Sequence, residues 1–284
     1  MISAQTVKEL RDQTGAGMAD CKKALEESQG DMQEAIEWLR KRGAASAAKR
    51  SDREANEGIV VAKTSADGKI AAIVEVNCET DFVARNDEFV NYANAICDAV
   101  LANDVKSEDE LWTINVGGKT LGNLRDEILA KFSERIGLRR FERIETNGHI
   151  TDYIHAGNRL AVLVEFDAPS LAADAVKGMA RDVAMQVAAM QPQYVNRESV
   201  DTAAIAKEIE IYKQQAIQEG KKEDIAERIA NGRLEKFYQE VVLIEQTFVK
   251  DPSRTVKDIL ADLAKSIGSD VKVRSFRRYY LGEQ

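Results

Sequence analysis

The apolar residues of this chain fall into distinct periodic regimes. From residue 5 to about 42 they recur at helical spacing in short blocks. Val7 and Leu10 mark a first helix, broken at Gly15-Ala16-Gly17. Cys21, Ala24 and Leu25 share one side of a second helix, from Met18 to Glu27, which Gly30 ends. Asp31 caps a third that turns Ala35, Ile36 and Leu39 inward, with Glu34 as its capping-box partner. Gly43 to Asn56 contains an Ala-rich, charged pattern, a weak helix without an obvious buried stripe, and reads as a linker. Lys69 to Asn77 alternates and is rich in Ile and Val, as a sheet strand should be. Asp87 to Val100 returns to helical spacing through Phe89, Ala93, Ile96, Cys97 and Val100.

A further regime starts near residue 200. Ile205, Ile209, Tyr212 and Ala216 step by four, three and four, as on a coiled-coil seam. Gly220 interrupts the run, and Ala230, Leu234, Phe237 and Val241 resume the spacing beyond it. The pattern predicts an antiparallel helical hairpin over about residues 200–243 that projects as an arm. Two ordinary helices folded back on the core are the alternative.

The strand regime occurs twice. At an offset of 90 residues Gly58 aligns with Gly148, and Lys69-Ile70-Ala71-Ala72-Ile73-Val74-Glu75-Val76-Asn77 falls without gaps on Arg159-Leu160-Ala161-Val162-Leu163-Val164-Glu165-Phe166-Asp167. Asp67-Gly68 and Gly157-Asn158 mark the two hairpin turns. Each hairpin precedes an amphipathic helix; in the second copy the stripe is Leu171, Ala175, Met179, Val183 and Val187. Later elements correspond as well. Leu121, Leu124, Ile128, Phe132 and Ile136 precede a strand from Leu138 to Arg143. Thr255 caps a helix with Val256, Ile259, Leu260, Leu263 and Ile267, followed by a strand from Val273 to Arg278. The fold class predicted is α+β. A three-helix module occupies residues 1–43 and a linker 44–56. A first body subdomain spans 57–146 and a second 147–284, the arm being inserted in the second.

Composition narrows the function. Hydrophobic residues at 44% support a real core, whereas a net charge of −8 argues against a general nucleic-acid binder despite the local cluster Lys272, Arg274, Arg277 and Arg278. No apolar run is long enough to span a membrane, and the N-terminus lacks a basic-then-apolar leader. Cys21, Cys78 and Cys97 cannot all pair and form no Cys-x-x-Cys, which points to a reduced, cytoplasmic setting. With His149 and His155 the only histidines, no zinc site is expected. Nor is a cofactor. Cys78 or Cys97 acting with His155 as a nucleophilic pair has no motif behind it.

One corner remains. Between the first strand and its helix lies Glu75-Val76-Asn77-Cys78-Glu79-Thr80-Asp81-Phe82-Val83-Ala84-Arg85. Read on its own, Thr80 or Asp81 caps a short helical turn and Phe82 packs inward. The wording of this stretch resembles the central signature of the bacterial elongation factor Ts family. A second signature of that family is found in Leu10-Arg11, Thr14-Gly15-Ala16-Gly17-Met18 and Asp20-Cys21-Lys22-Lys23-Ala24-Leu25. The likeness runs through nearly the whole chain to about Gly282.

The resemblance implies a guanine-nucleotide exchange factor that binds elongation factor Tu in GDP-bound and nucleotide-free states, with no covalent step and no direct contact with nucleic acid or membrane. It implies that Asp81 and Phe82, between Thr80 and Val83, intrude at the nucleotide site. It also implies that His155 touches the partner, against the plainer reading of an exposed turn histidine. The N-terminal module is implied to be of the ubiquitin-associated type, touching the GTPase through Arg11 and Met18; Met18 as a core filler is the alternative. Ala19 stands where some relatives carry a second methionine. The chain ends at Tyr280-Leu281-Gly282-Glu283-Gln284, where many relatives continue with a further helix, and that helix's role is not carried over. Rival readings are an adaptor for ubiquitin-like partners, and RNA binding through the terminal basic strand.

Overall fold

Side-chain caps start two of the three N-terminal helices where the sequence places them. The computed structural model describes residues 2–171 and 173–283. α1 (Ala4–Thr14) starts on Ser3, whose hydroxyl accepts from the Thr6 N–H, and stops at Gly15 with φ +68°. α2 (Met18–Glu27) and α3 (Met32–Ala48) follow, and the Asp31 carboxylate accepts the Glu34 N–H at 2.8 Å. Val7, Leu10, Cys21, Ala24, Leu25, Ala35 and Leu39 form the core between them.

The linker stretch is helical to Ala48, as part of α3, but the expectation that it lacks a buried stripe needs correction. The reason lies outside the segment. Gly43 rests against the later helix that carries Ala130, where a Cβ would come within 2.7 Å of the Ala130 Cα. Arg50, 7% exposed, donates to the Phe132 carbonyl at 2.9 Å and the Leu129 carbonyl at 3.3 Å. The stretch has a buried face, but its partner is some eighty residues away.

β1 (Glu57–Thr64) and β2 (Ile70–Cys78) form the first hairpin, followed by α4 (Asp81–Ala84), α5 (Asp87–Ala102) and α6 (Glu108–Thr113). A small ribbon of β3 (Asn115–Val116) and β4 (Lys119–Thr120) leads into α7 (Leu121–Lys131) and β5 (Gly137–Glu145). The second half repeats the plan with β6 (His149–Ile154), β7 (Leu160–Asp167) and α8 (Asp174–Met190). Next come α9 (Thr202–Gln218), α10 (Glu223–Val241) and a short ribbon of β8 (Thr247–Phe248) and β9 (Asp251–Thr255). α11 (Val256–Ile267) and β10 (Lys272–Tyr280) close the chain.

Among the described residues the strand orders are β1-β2-β5 and β6-β7-β10, all antiparallel. Ile59 pairs with Val76 and His149 with Phe166, the same register at the 90-residue offset. Each central strand also meets a bulge directly after its glutamate, Glu75 or Glu165.

The sheets pack face to face. Val60, Ala62, Ala71 and Ile73 meet Ile150, Ala161, Leu163 and Tyr279 between them. The opposite face of the first sheet (Ile59, Val61, Ala72, Val74, Val76) packs on Phe89, Ile96 and Val100 of α5 and Leu121 and Ile128 of α7. α8 and α11 cover the second sheet in the same way. Alternation along β2 therefore divides residues between two cores rather than between core and water, which is why all of Ala71–Cys78 is buried. Burying one Val or Ile side chain contributes about 1.5–3 kcal/mol.

The stripe expected for α8 is displaced. Val176, Ala180, Val183, Ala184 and Val187 are buried, Ala175 is exposed, and Leu171 is buried ahead of the helix. A ladder of strict four-residue steps drifts about 40° per step around a 3.6-residue helix, so it cannot keep five residues on one face.

α9 and α10 form a helical hairpin turned at Gly220 with φ +83°. Ala216, Ala226 and Ala230 are fully buried in it, and Lys213–Glu223 and Arg233–Glu219 ion pairs tie the helices together. Its base has its own cluster of Val200, Tyr238, Val241 and Val242, where Arg197 forks onto Glu235 and Glu245.

Candidate functional site

Where β2 ends, the backbone must leave the ladder, and a set of carboxylates takes over its hydrogen bonds. Thr80, in extended conformation at φ −126° and ψ 153°, caps α4, its hydroxyl accepting from the Val83 N–H at 3.4 Å. Glu134, from the loop after α7, accepts the Glu79 and Thr80 N–H groups on Oε2 at 3.1 and 3.0 Å and the Thr80 hydroxyl on Oε1 at 2.5 Å. Glu79 in turn accepts the Arg135 N–H at 2.6 Å and Arg53 Nη1 at 3.2 Å. The Arg135 amide, helped by Arg53, holds its carboxyl below the usual range. The Cys78 thiol donates to the Thr80 carbonyl at 3.1 Å.

On this base α4 turns Val83 and Ala84 inward and leaves Phe82 83% exposed. No other large hydrophobic side chain among the described residues is so fully exposed to solvent. Thr80 caps the turn as expected, but Phe82 does not pack inward. Only Val83 and Ala84 fill that space. Asp81, beside Phe82, pairs with Arg85 at 3.0 Å, both part in water. An exposed phenyl ring forgoes about 1.5–3 kcal/mol of burial, so its presentation on a firmly bonded base is a feature to be explained.

The turn between β6 and β7 stands at the same end of the body. Cys78 pairs with Glu57, and Glu57 forms an ion pair with Arg159 of that turn. The Asn158 carbonyl accepts the Val60 N–H at 2.7 Å. His155 is exposed there, with Nδ1 2.9 Å from the Tyr153 hydroxyl. Arg11 and Met18 lie on the N-terminal module, and Met18 is 46% exposed at the start of α2. It is not a core filler, because Cys21, Ala24 and Leu25 already fill that core. Among the described residues neither Arg11 nor Met18 shares a hydrogen bond or ion pair with the corner. The segment that follows the module reaches it, through Arg53 on Glu79.

Glu134, Arg53 and Arg135 escaped the sequence reading. Nothing local marks them: Ser133-Glu134-Arg135 is a polar stretch between Phe132 and Ile136, 54 residues from Thr80.

The cysteine nucleophile reading fails on chemistry. Burial pushes the Cys78 and Cys97 thiols up to about 12, so both stay protonated, and Cys97 donates to the Val61 and Ala72 carbonyls. The terminal basic strand is engaged in ion pairs: Arg274 with Glu165 and Asp167, Arg277 with Glu142, and Arg278 with Glu283. Among the described residues no three His, Cys, Asp or Glu side chains are grouped to hold a metal, and no helix is long and apolar enough to cross a membrane.

Comparison with known proteins agrees with this organisation. The family model described as Elongation factor TS matches residues 79–283, a span that opens at the corner itself. An elongation factor Ts of Chloroherpeton thalassium is 47% identical over 288 aligned residues, covering 100% of this chain and 99% of the relative. One from Chlorobaculum tepidum is 48% identical over 286, covering 99% of each. A third, from Clostridioides difficile, is 46% identical over 283, covering 99% of this chain and 93% of the relative. With the family model spanning most of the chain and relatives this similar matching it end to end, the chain belongs to the elongation factor Ts family.

Proposed function

We propose that this translation elongation factor acts as a guanine-nucleotide exchange factor for elongation factor Tu. It binds the GDP-bound GTPase, disturbs the magnesium and phosphate site, and holds the nucleotide-free form until GTP enters. The observation that carries the reading is the solvent-exposed Phe82 on a capped, carboxylate-bonded corner.

The physical logic is direct. A guanine nucleotide is held mainly through its phosphates and a magnesium ion. Magnesium requires near-ideal octahedral geometry, so a small shift of its surroundings loosens the nucleotide. A phenyl wedge that parts packed side chains beside that site supplies the shift without any covalent step. By linkage, the factor weakens GDP binding by the same ratio as GDP weakens factor binding.

In this reading Thr80, Asp81, Phe82 and Val83 form the intruding corner, and the His155 turn at the same end of the body makes a second contact. Arg11 and Met18 add affinity from a ubiquitin-associated-type module at residues 1–43. The body comprises subdomains 57–146 and 147–284, and the hairpin near 200–243 is a coiled-coil arm. The protein works in the cytoplasm, and the reaction calls for no cofactor of its own and no contact with nucleic acid.

Release of a fluorescent guanine nucleotide from elongation factor Tu, with and without this protein, tests the proposal. Release should accelerate in proportion to added protein before saturating. An unchanged rate at all concentrations would end it.

A further inference from the structure

Phe82 is 83% exposed and belongs to none of the buried clusters among the described residues, so core packing does not fix where its ring points. Its position is set by the backbone beneath it. At the strand end that backbone is tied by one side chain from a distant loop, which accepts from two of its N–H groups and from the Thr80 hydroxyl. From the proposed wedge role of Phe82, we infer that Glu134 is the positioning residue of the exchange reaction, holding the corner in its intruding geometry without itself touching the nucleotide site.

Three bonds carry the inference. The Glu134 carboxylate accepts the Glu79 and Thr80 N–H groups and the Thr80 hydroxyl, at 3.1, 3.0 and 2.5 Å. Hydrogen bonds to a charged acceptor are among the stronger ones a protein makes. Without them, two backbone donors at the strand end lose their partner. Other ties lie within the turn or on its carbonyls: the Ala84 N–H to the Thr80 carbonyl at 3.1 Å, the Cys78 thiol to the same carbonyl at 3.1 Å, and the cap from Thr80 to the Val83 N–H at 3.4 Å; none of them serves the Glu79 and Thr80 N–H groups. The loop that supplies Glu134 is itself fixed. Arg50 bonds the Phe132 carbonyl at 2.9 Å, and the Arg135 N–H bonds Glu79 at 2.6 Å. Loop and corner therefore form one unit that includes the end of the segment from the N-terminal module.

A misplaced wedge lowers the rate at which a formed complex releases nucleotide more than it lowers association. The test is stimulated GDP release from elongation factor Tu at saturating factor, with melting curves, for wild type, Phe82→Ala, Glu134→Ala, Glu134→Gln and the Phe82→Ala/Glu134→Ala double variant. Glu134→Ala should slow saturated release roughly tenfold, the equivalent of about 1.4 kcal/mol. Glu134→Gln keeps the shape and one acceptor for the two N–H groups but cannot accept the Thr80 O–H, so it should fall between, at about threefold. On the Phe82→Ala background the Glu134 change should add nothing, because Glu134 acts through Phe82. A general loss of structure would instead multiply with Phe82→Ala and lower the melting midpoint in proportion. If Phe82→Ala is slow while Glu134→Ala matches wild type, or if the two effects multiply, the positioning role is wrong and the wedge stands. If Phe82→Ala itself releases normally, the wedge reading fails and takes this inference with it. Should Glu134→Ala not fold, Glu134→Gln decides alone, and wild-type release by that variant overturns the role.

Discussion

The two halves of the body share strand order, register and bulge, yet they treat the chain that leaves the central strand in opposite ways. After β2 the backbone enters a capped turn and sends Phe82 into solvent. After β7, at the 90-residue offset, Leu171 occupies the place of Asp81 and is fully buried against α8 and α11. The position matching Phe82 is Ala172, outside the described residues. The carboxylate clamp differs as well. The third strands align at an offset of 135, Leu138 with Val273, which puts Ser269 where the first half has Glu134. The same scaffold can therefore close this connection with an apolar residue inside. At the Leu171 position the second half buries an apolar side chain where the first keeps the half-exposed Asp81.

This contrast breaks most readily at its two apolar residues. Leu171→Ala should cost about 2–5 kcal/mol of stability, since it opens a cavity in a packed core. Below its lowered melting point the variant should still release GDP from elongation factor Tu at nearly the wild-type rate. Phe82→Ala should do the reverse, melting as wild type but slowing release roughly tenfold for each 1.4 kcal/mol lost from the contact. Parallel melting and release assays on both variants check this. If Phe82→Ala melts early, the two connections are alike after all and the ring is a core residue.

The buried glutamates give the next largest effect. Glu75 is fully buried and is held by Arg140 at 2.7 Å, by the Gly282 N–H at 2.9 Å and by Asn77. Glu165 is 8% exposed, and its partner Arg274 can turn to Asp167. Removing one member of a buried pair costs about 3 kcal/mol or more, because the other is left uncompensated. Glu75→Ala should reach that value in urea unfolding, and Glu165→Ala should cost about half as much. Equal losses would show that the better-solvated arginine brings no relief.

A smaller change is expected from the arm, the main insertion that separates the second half from the first. Tyr238 and Val241 are buried at its base with Val200 and Val242, so the cut belongs further out. Replacing residues 206–233 with a short Gly-Ser linker should shift the melting midpoint by less than about 3 °C. A shift of 10 °C or more (roughly several kcal/mol at this chain length) would mean that the hairpin supports the body.

Much of this architecture is legible from residues that act locally. Asp67-Gly68 and Gly157-Asn158 mark their turns, Gly68 and Asn158 both with positive φ, and Thr255 caps its helix as the sequence suggests. The repeat is visible because both halves preserve register. The rest depends on partners that no local pattern names. α3 outruns its expected end because Gly43 and Arg50 meet α7. The strands are buried on both faces because a second sheet covers the first. The direction of Phe82 depends on which side of a four-residue turn meets the core, and its clamp lies beyond the next three helices. Thr80 to Val83 could be singled out from their own wording, whereas Glu134 could not.

The smallest effect concerns a position where the halves differ by one titratable group. The repeat places His149 where the first half has Ile59, at the same point of the same register. His149 is 6% exposed, its ring lies against Gly68, and its buried Nδ1 has no hydrogen-bond partner among the described residues. Burial lowers its pKa below the usual 6.5, and the nearby Lys69 lowers it further, with Asp67 opposing. The sign follows from linkage. Well above pH 6.5 both folded and unfolded chains hold the neutral ring, and the histidine's contribution is intact. As pH falls, the unfolded chain takes up a proton that the folded chain resists, so stability is lost on the way down through the folded pKa. His149→Ile, which restores the first half's residue, should remove that part of the acid limb. The stability difference between variant and wild type should be constant at pH 7 and above. It should move in favour of the variant as pH drops from about 6.5 towards 5. Urea unfolding at several pH values in that window measures it. A difference that stays flat throughout would mean that the folded protein accommodates the protonated ring between its two hairpins.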